Sequence, residues 1–480
     1  MNTQQHFTNQ LNRRSFLNGV SVGIGSLALT SMLGPRGLAK EASPLASGGA
    51  VNPLHFAPKA KRVIHLCMAG GPSHLETLDY KPKLAEMNGK GMPKSITDGQ
   101  PIAQLQGNKA LKCLGPQHEF EKYGKSGQSI SKALPHIGGI ADDICIVRSM
   151  TTQQINHDPA HTFMNTGTQI SGRPSMGSWV LYGLGNGSDN LPGYVVLSSN
   201  GGGQDQPIAS RQWHSGFLPS RYQGVHFHST GDPVLYISNP KGVSSRGQGE
   251  VINAVNALNK LRNKAVADPE IETRISQYEM AFRMQASVPD VFDISKESQA
   301  TRDLYGDSEY AKGCLIARRL VERGVRTVQL SHSIDGYDIA WDTGHGDIKG
   351  GHARLAKACD QGIAALLKDL KTRGLLDETL VVWGGEFGRA PTSEGKNGRD
   401  HDHYGFTVWM AGGGVKAGYS YGATDMFGCS AVENRVHVHD LHATILNQMG
   451  LDHEQLTYRY SGRDYRLTDV HGKVVKDVIA

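Results

Sequence analysis

The chain has 480 residues, 38% of them hydrophobic and 20% charged, with 59 glycines and 20 prolines. This composition supports a sizeable buried core and many tight turns, and it excludes a disulfide-stapled miniature scaffold, a fibre and a disordered chain. Fifty lysines and arginines against 45 acidic residues give +5, but Arg13, Arg14 and Arg36 fall in the first 39 residues, which carry no acid; the remainder is 47 against 45, or +2. A nearly neutral body without a basic run argues against nucleic acid as a partner.

Asn12-Arg13-Arg14-Ser15-Phe16-Leu17 precedes an uncharged stretch from Gly19 to Leu33 and a small-x-Ala site at Gly37-Leu38-Ala39. This pattern predicts a twin-arginine signal peptide over residues 1–39 and a periplasmic or extracellular location. Its weakly apolar stretch is shorter than the roughly 20 residues that span a bilayer, so no stable membrane span is expected there. The six cysteines form no C-x-x-C pair. Cys67 and Cys145 lie in apolar runs, where a thiol reads as a small buried hydrophobe.

Residues 40–60 read as a loose linker and residues 61–480 as a single domain. In chain order, Arg62 to Met68 is a buried strand ending at Ala69-Gly70-Gly71-Pro72-Ser73, and Ile144 to Arg148 and Tyr194 to Leu197 are further strands. Glu250 to about Met284 turns helical, an inserted helical hairpin around 250–290 packed on the outside. Helix Tyr310 to Arg323 then leads to strand Thr327 to Leu330, and helix Gly351 to Arg373 leads to strand Thr379 to Trp383. Phe406 to Met410 is another strand and Val438 to Met449 another helix. Helices alternating with short apolar strands predict an α/β fold, a central mostly parallel sheet with helices on both faces. In such sheets ligands bind where loops leave the carboxyl ends of strands.

The polar residues after those strands are Asp342 and His345, then Glu386 and Arg389, and finally Asp400-His401-Asp402-His403. Carboxylates and imidazoles gathered from separate loops suit a divalent metal ion such as zinc, calcium or manganese, so Asp342, His345, Glu386, His401 and His403 are the candidate ligands. His157 and His161, four apart in Asn156-His157-Asp158-Pro159-Ala160-His161, would share a helix face and supply a ligand, a general base or an anion contact. The same run also fits a plain helix N-terminus with Asp158 as cap. His437, His439 and His442 do not share one face, and capping or surface roles come first for them.

Thr379-Leu-Val-Val-Trp-Gly-Gly-Glu-Phe-Gly-Arg389 resembles the strand and metal-binding turn of sulfatases and the wider alkaline phosphatase superfamily. His157-Asp-Pro-Ala-His161 with Thr166-Gly167 resembles the sulfatase nucleophile signature, and Val438-His-Asp-Leu-His-Ala-Thr-Ile-Leu446 resembles the C-terminal helix. From about Lys61 to Val475 the chain is similar to the exported bacterial domain of unknown function 1501 family, which carries Met-Ala-Gly-Gly-Pro-Ser early and Gly-Gly-Glu-Phe-Gly-Arg late. The resemblance implies that Asp342 and His345 match a ligand pair with shortened spacing, that Glu386 replaces an aspartate ligand, and that His401 or His403 is the late histidine. The chain departs from sulfatases in having Ala69-Gly70-Gly71 where they place metal-binding aspartates, His157 at the formylglycine-forming cysteine and His161 at the following arginine. A formylglycine mechanism is therefore not expected, and the half of a two-metal site that depends on the first strand is either absent or rebuilt from His74, Asp79, His157 or His161.

Two functions remain open at this level. One is an exported, metal-dependent hydrolase of small-molecule or glycan phosphate or sulfate esters, with His157 or Ser73 as nucleophile or base and His161 or Arg389 stabilising charge. The alternative is a catalytically degenerate sulfatase-like protein that binds an anionic glycan or a protein partner.

Overall fold

Strand β1 (Arg62–Met68) sets the architecture, because every residue from Val63 onward is buried. A strand covered on both faces must be apolar throughout, which is why it reads as an unbroken run. In this computed structural model the described residues are 48–97, 110–199, 208–228, 233, 244–266, 269–332 and 340–480. The expected signal peptide, residues 1–39, and the first residues of the expected linker lie outside them. The chain divides into two compact units, one of Met1–Pro44 with Ser238–Phe282 and one of Leu45–Ile237 with Arg283–Ala480.

The second unit is built on a nine-stranded sheet. Its strands are β1, β2 (Ile144–Thr151), β3 (Tyr194–Ser198), β4 (Val225–His228), β5 (Thr327–His332), β6 (Thr379–Gly384), then, after a separate hairpin β7 (Gly388–Glu394) and β8 (Gly398–Asp402), β9 (Phe406–Ala411), β10 (Tyr419–Tyr421) and β11 (Val436–His437). The order is β10-β2-β9-β6-β1-β5-β3-β4, with β11 also beside β2. Strand β1 is parallel to both β5 and β6, whereas β9 runs antiparallel to its neighbours β2 and β6. The sheet is thus mixed and mostly parallel, with one reversed strand.

Helices cover both faces. Val63, Val147, Leu380, Val382, Val408 and Met410 form one core with helices α1 (His157–Thr166), α2 (Met176–Leu184) and, near the C-terminus, the helix Val438–Gln448. The first unit contains two helical segments, α3 (Ser245–Val266) and the larger part of α4 (Pro269–Phe292), where Asn256 Nδ2 donates to Glu279 Oε1 at 3.3 Å. On the opposite face of the sheet, α5 (Glu309–Glu322) packs so closely that a side chain at Gly313 would meet Leu330 of β5 at 2.8 Å, and α6 (Ile348–Thr372) lies against α5 at Gly362 and Ala311. The helix Val438–Gln448 is α7.

Residues 50–60, read as loose, are held by backbone bonds: Ala50 N to Tyr182 O and Lys59 N to Gln448 O, both 2.8 Å. Among the described residues no helix is long and apolar enough to cross a membrane. All six cysteines are buried, and none is in a disulfide. His437 caps α7 in a capping box with Asp440, as its position suggested. His439 and His442 are not on the surface: their Nε2 atoms lie 2.8 Å from the carbonyls of Gly167 and Met164, fixing α7 to the end of α1.

Candidate metal centre

The parallel strands deliver their loops to one edge of the sheet. After β1 the chain turns at Gly70 with φ +107°, and a Cβ there would stand 2.5 Å from the amide nitrogen of Asp342. The position therefore excludes a side chain, and the loop contributes its backbone instead: Gly70 N lies 3.1 and 3.2 Å from the two carboxylate oxygens of Glu386. Glu386 follows β6 and is fully buried.

Asp342 lies in a 3-10 turn, Ala340–His345, beyond β5. Trp341 fixes that turn from below, its amide donating to Ala69 O at 2.9 Å and its indole Nε1 to His332 Nδ1 at 3.0 Å. The Asp342 carboxylate also meets the wholly buried Arg389, whose Nε donates to Gly71 O at 3.0 Å and Nη2 to Gly70 O at 2.5 Å.

Helix α1 begins at His157 with Asn156, not Asp158, as its N-cap; Asp158 pairs with Arg211. One helical turn places His157 and His161 with ring centroids 6.2 Å apart. His157 Nδ1 is 2.6 Å from Glu386 Oε1 and its Nε2 is 3.0 Å from Asp342 Oδ1, while His161 Nε2 is 3.4 Å from Glu386 Oε1. From β8, His401 brings Nε2 to 3.2 Å from Asp342 Oδ1 and 2.8 Å from His345 Nε2. His401 Nδ1 donates to Ile155 O at 2.8 Å and His345 Nδ1 meets Glu394, so both Nε2 atoms face Asp342. Partners on the outer nitrogen are what hold a metal-binding imidazole in one tautomer.

The donor atoms of His157, Asp342, His345 and His401 lie within 4.8 Å of one another, as do those of His157, His161 and Glu386, and those of His345, Glu394 and Asp400. Burial opposes charge on Asp342, Glu386, His157, His345 and His401. The Asp342 carboxyl is nevertheless held far below its usual range by hydrogen bonds from His157 and His345 and by the Arg389 guanidinium. Burial likewise works against ionised Glu386, but His161 and His157 hold its carboxyl below normal. His157, between the two carboxylates, is raised to about 9 despite its burial, and His345 is raised by Asp342. Burial lowers His401 to about 4, leaving it neutral with a lone pair on Nε2. A pocket that charges one imidazole and keeps another neutral favours a cation and offers it nitrogen donors.

Of the residues singled out in the sequence, Asp342, His345, Glu386, His401, His157 and His161 come together. His403 lies past the end of β8 and stacks on Tyr404, with centroids 4.0 Å apart. Ser73 is buried, and its amide donates to His352 Nε2 at 2.9 Å. His74 binds Gly428 O and Asp79 binds Thr424 and Lys81, away from the cluster. Arg389 is turned toward backbone carbonyls and Asp342. Glu394 was missed, and Asp400 was noted in its cluster but not counted as a ligand, because both belong to a hairpin whose polarity hides it from hydrophobic patterning.

A mostly parallel α/β sheet with an Asp/Glu/His cluster at its carboxyl edge defines a protein with a candidate metal site. Residues 60–479 match the family model described as Protein of unknown function (DUF1501), and the chain belongs to that family. No curated protein matches the sequence. Solved structures similar to the chain include the lipoteichoic acid synthase LtaP from Listeria monocytogenes, 11% identical, TM-score 0.37, covering 88% of this chain and 78% of that one. A sulfatase from Pseudoalteromonas sp. is 12% identical with TM-score 0.35, covering 82% and 68%. A protein in the alkaline phosphatase superfamily from Vibrio parahaemolyticus is 11% identical with TM-score 0.34, covering 83% and 69%.

Proposed function

We propose that the protein is an exported, metal-dependent hydrolase of phosphate or sulfate esters that works without formylglycine. The observation that carries this reading is the convergence of Asp342, His345 and His401 on a common point beside His157. Three protein ligands with a further position open is the pattern of a catalytic zinc site, and two imidazoles with a single carboxylate oxygen suit zinc better than calcium, which takes six to eight oxygens. A divalent ion held there supplies Lewis acidity to the ester and to water.

The remaining roles belong to the chain. Glu386 accepts the Nδ1 proton of His157 and fixes the ring, so that Nε2 points toward Asp342 beside the ligand atoms. His157, whose basicity the two carboxylates raise against its burial, stands with Nε2 beside Asp342 and serves as the acid that would give its Nε2 proton to the departing oxygen. His161 and the Gly70 amide hold Glu386 in place. Arg389 secures Asp342 and does not reach for the ester. His157 in place of a formylglycine-forming cysteine is the reason for excluding that cofactor.

The test is elemental analysis of the exported protein beside Asp342→Ala and Glu386→Ala, followed by a panel of aryl phosphates and sulfates. About one divalent ion per chain is expected, weakened or lost in both variants, with turnover lost alongside. Metal-free wild-type protein without turnover would return the chain to the degenerate, glycan- or protein-binding reading.

A further inference from the structure

The hairpin that supplies His401 is irregular at the point that matters. Arg399 pairs with Ser393 and His401 pairs with Arg389, so residues 390–392 of β7 stand opposite the single residue Asp400. An irregularity of this kind leaves ladder groups unpaired and re-aims the side chains beyond it. Here the side chains beyond it are His401, aimed at Asp342, and Arg389, which grips the same carboxylate.

The carbonyls freed in residues 390–392 are taken up from outside the ladder. Arg399 Nη1 donates to Ala390 O at 3.2 Å, and Leu114 N donates to Pro391 O at 2.9 Å. Arg399 also closes a second contact, because its own carbonyl accepts from Arg389 Nη1 at 3.4 Å. One side chain thus supports the distorted stretch while its backbone supports the residue holding Asp342.

What fixes Arg399 is Glu76, in the short helical turn that follows β1. Glu76 Oε1 lies 2.7 Å from Nη2 and 3.0 Å from Nε, a forked contact between two side chains with no exposed surface. Its other oxygen accepts from the amides of Gln117 and His118 at 2.8 and 3.2 Å and meets His118 Nδ1 at 2.9 Å. A carboxylate fully buried and fully partnered is an expensive way to join segments unless its geometry is needed. The segment after β1 has no acidic ligand at Ala69-Gly70-Gly71, yet it reaches the centre through Glu76.

We propose that Glu76 is a positioning residue for the metal centre: through Arg399 it sets the distorted hairpin that aims His401 and Arg389 at Asp342. The inference rests on the metal-binding reading above. It separates Glu76 from the many buried charges that only stabilise the fold, since its effect is read at His401.

Cobalt(II) substitution tests it, because the visible absorption of the bound ion reports its ligand set without any turnover. Wild type, Glu76→Gln, Arg399→Lys and His401→Ala are loaded with cobalt(II), and affinity, spectrum and unfolding midpoint are measured for each. Loss of a group bonded directly to a ligand weakens metal binding about tenfold to a hundredfold; Glu76 acts one step further out, so a loss of up to about tenfold is expected, with the Glu76→Gln spectrum moving toward that of His401→Ala. Arg399→Lys keeps the buried charge but not the fork, and carries the same expectation if Glu76→Gln does not fold. A lowered unfolding midpoint with wild-type affinity and spectrum in the folded variants would overturn the inference while leaving the metal site standing. Wild-type protein that takes up no cobalt would overturn the metal reading, and this inference with it.

Discussion

His157 Nδ1 stands 2.6 Å from Glu386 Oε1, and that contact, with the one from Nε2 to Asp342, sets what the imidazole can do. Together with Asp342 it keeps the ring protonated up to about pH 9, against an ordinary value of 6.5. In Glu386→Gln the ring keeps a neutral partner but loses one of its two anions, so its pKa falls toward 6.5. The alkaline limb of any ester turnover then moves to lower pH by about one to two units, because an acid catalyst is lost once it deprotonates. NMR titration of His157 in metal-free protein checks the shift independently of turnover; an unmoved titration would remove Glu386 from this role.

Gly70→Ala should be far more damaging than its size suggests. Positive φ costs a non-glycine residue about 1–3 kcal/mol, and here the new Cβ would also meet backbone atoms of Trp341 and Asp342. Gly89, with φ +76° and nothing within 4 Å of where an added methyl would stand, isolates the first contribution. Gly70→Ala is expected to lower the unfolding midpoint more than Gly89→Ala and to reduce metal retention as well. Equal losses in the two variants would mean that the close approach of Asp342 is not limiting.

Acid should destabilise the fold from about pH 6.5 downward, above the range in which ordinary carboxylates titrate. Burial lowers His65 to about 4 and His332, His352 and His442 to about 3. Each is neutral when folded but takes a proton when unfolded below about pH 6.5, so stability present above 6.5 is lost as pH falls toward the folded values. The loss approaches about 1.4 kcal/mol per histidine per pH unit at most. Asp360, raised to about 6 by burial, and Asp402, also raised by burial, act in the opposite direction. They are outnumbered, and denaturation midpoints measured from pH 6.5 to 4.5 should fall; a flat profile over that range would contradict the burial of these rings.

The cysteines offer a chemical check on the core. All six are buried, and burial pushes the thiols of Cys67, Cys314 and Cys429 well above normal and that of Cys145 to about 12. Native protein should therefore react negligibly with a thiol-specific disulfide reagent, and denatured protein should titrate six thiols per chain. Fewer than six in denaturant would reveal a disulfide.

The legible parts of the sequence were those where burial is apolar. β1, β5 and β6 are buried at nearly every position, and their hydrophobic runs marked them as interior strands. The loops after β5 and β6 then pointed to Asp342 and Glu386. Strand β4 was missed because its sequence, Val-His-Phe-His, buries only Phe227 fully. The β7–β8 hairpin was missed for another reason: Arg389 and Arg399 are buried by ion pairing and carbonyl contacts, which leave no apolar periodicity. Strand geometry also separates His401 from His403, since β8 ends at Asp402 and the chain has left the ladder before His403.

The reversed direction of β9 has a consequence for how such a pocket can diversify. A chain leaving β6 at the carboxyl edge enters the antiparallel β9 from that same edge, so it makes no crossing under the sheet. Glu386, Arg389, Glu394, Asp400 and His401 consequently occupy one uninterrupted passage of sequence between two fixed strands. Insertions or exchanges confined to that passage would remodel the pocket wall while the scaffold keeps its register, giving selection a compact cassette in which to alter what the site holds.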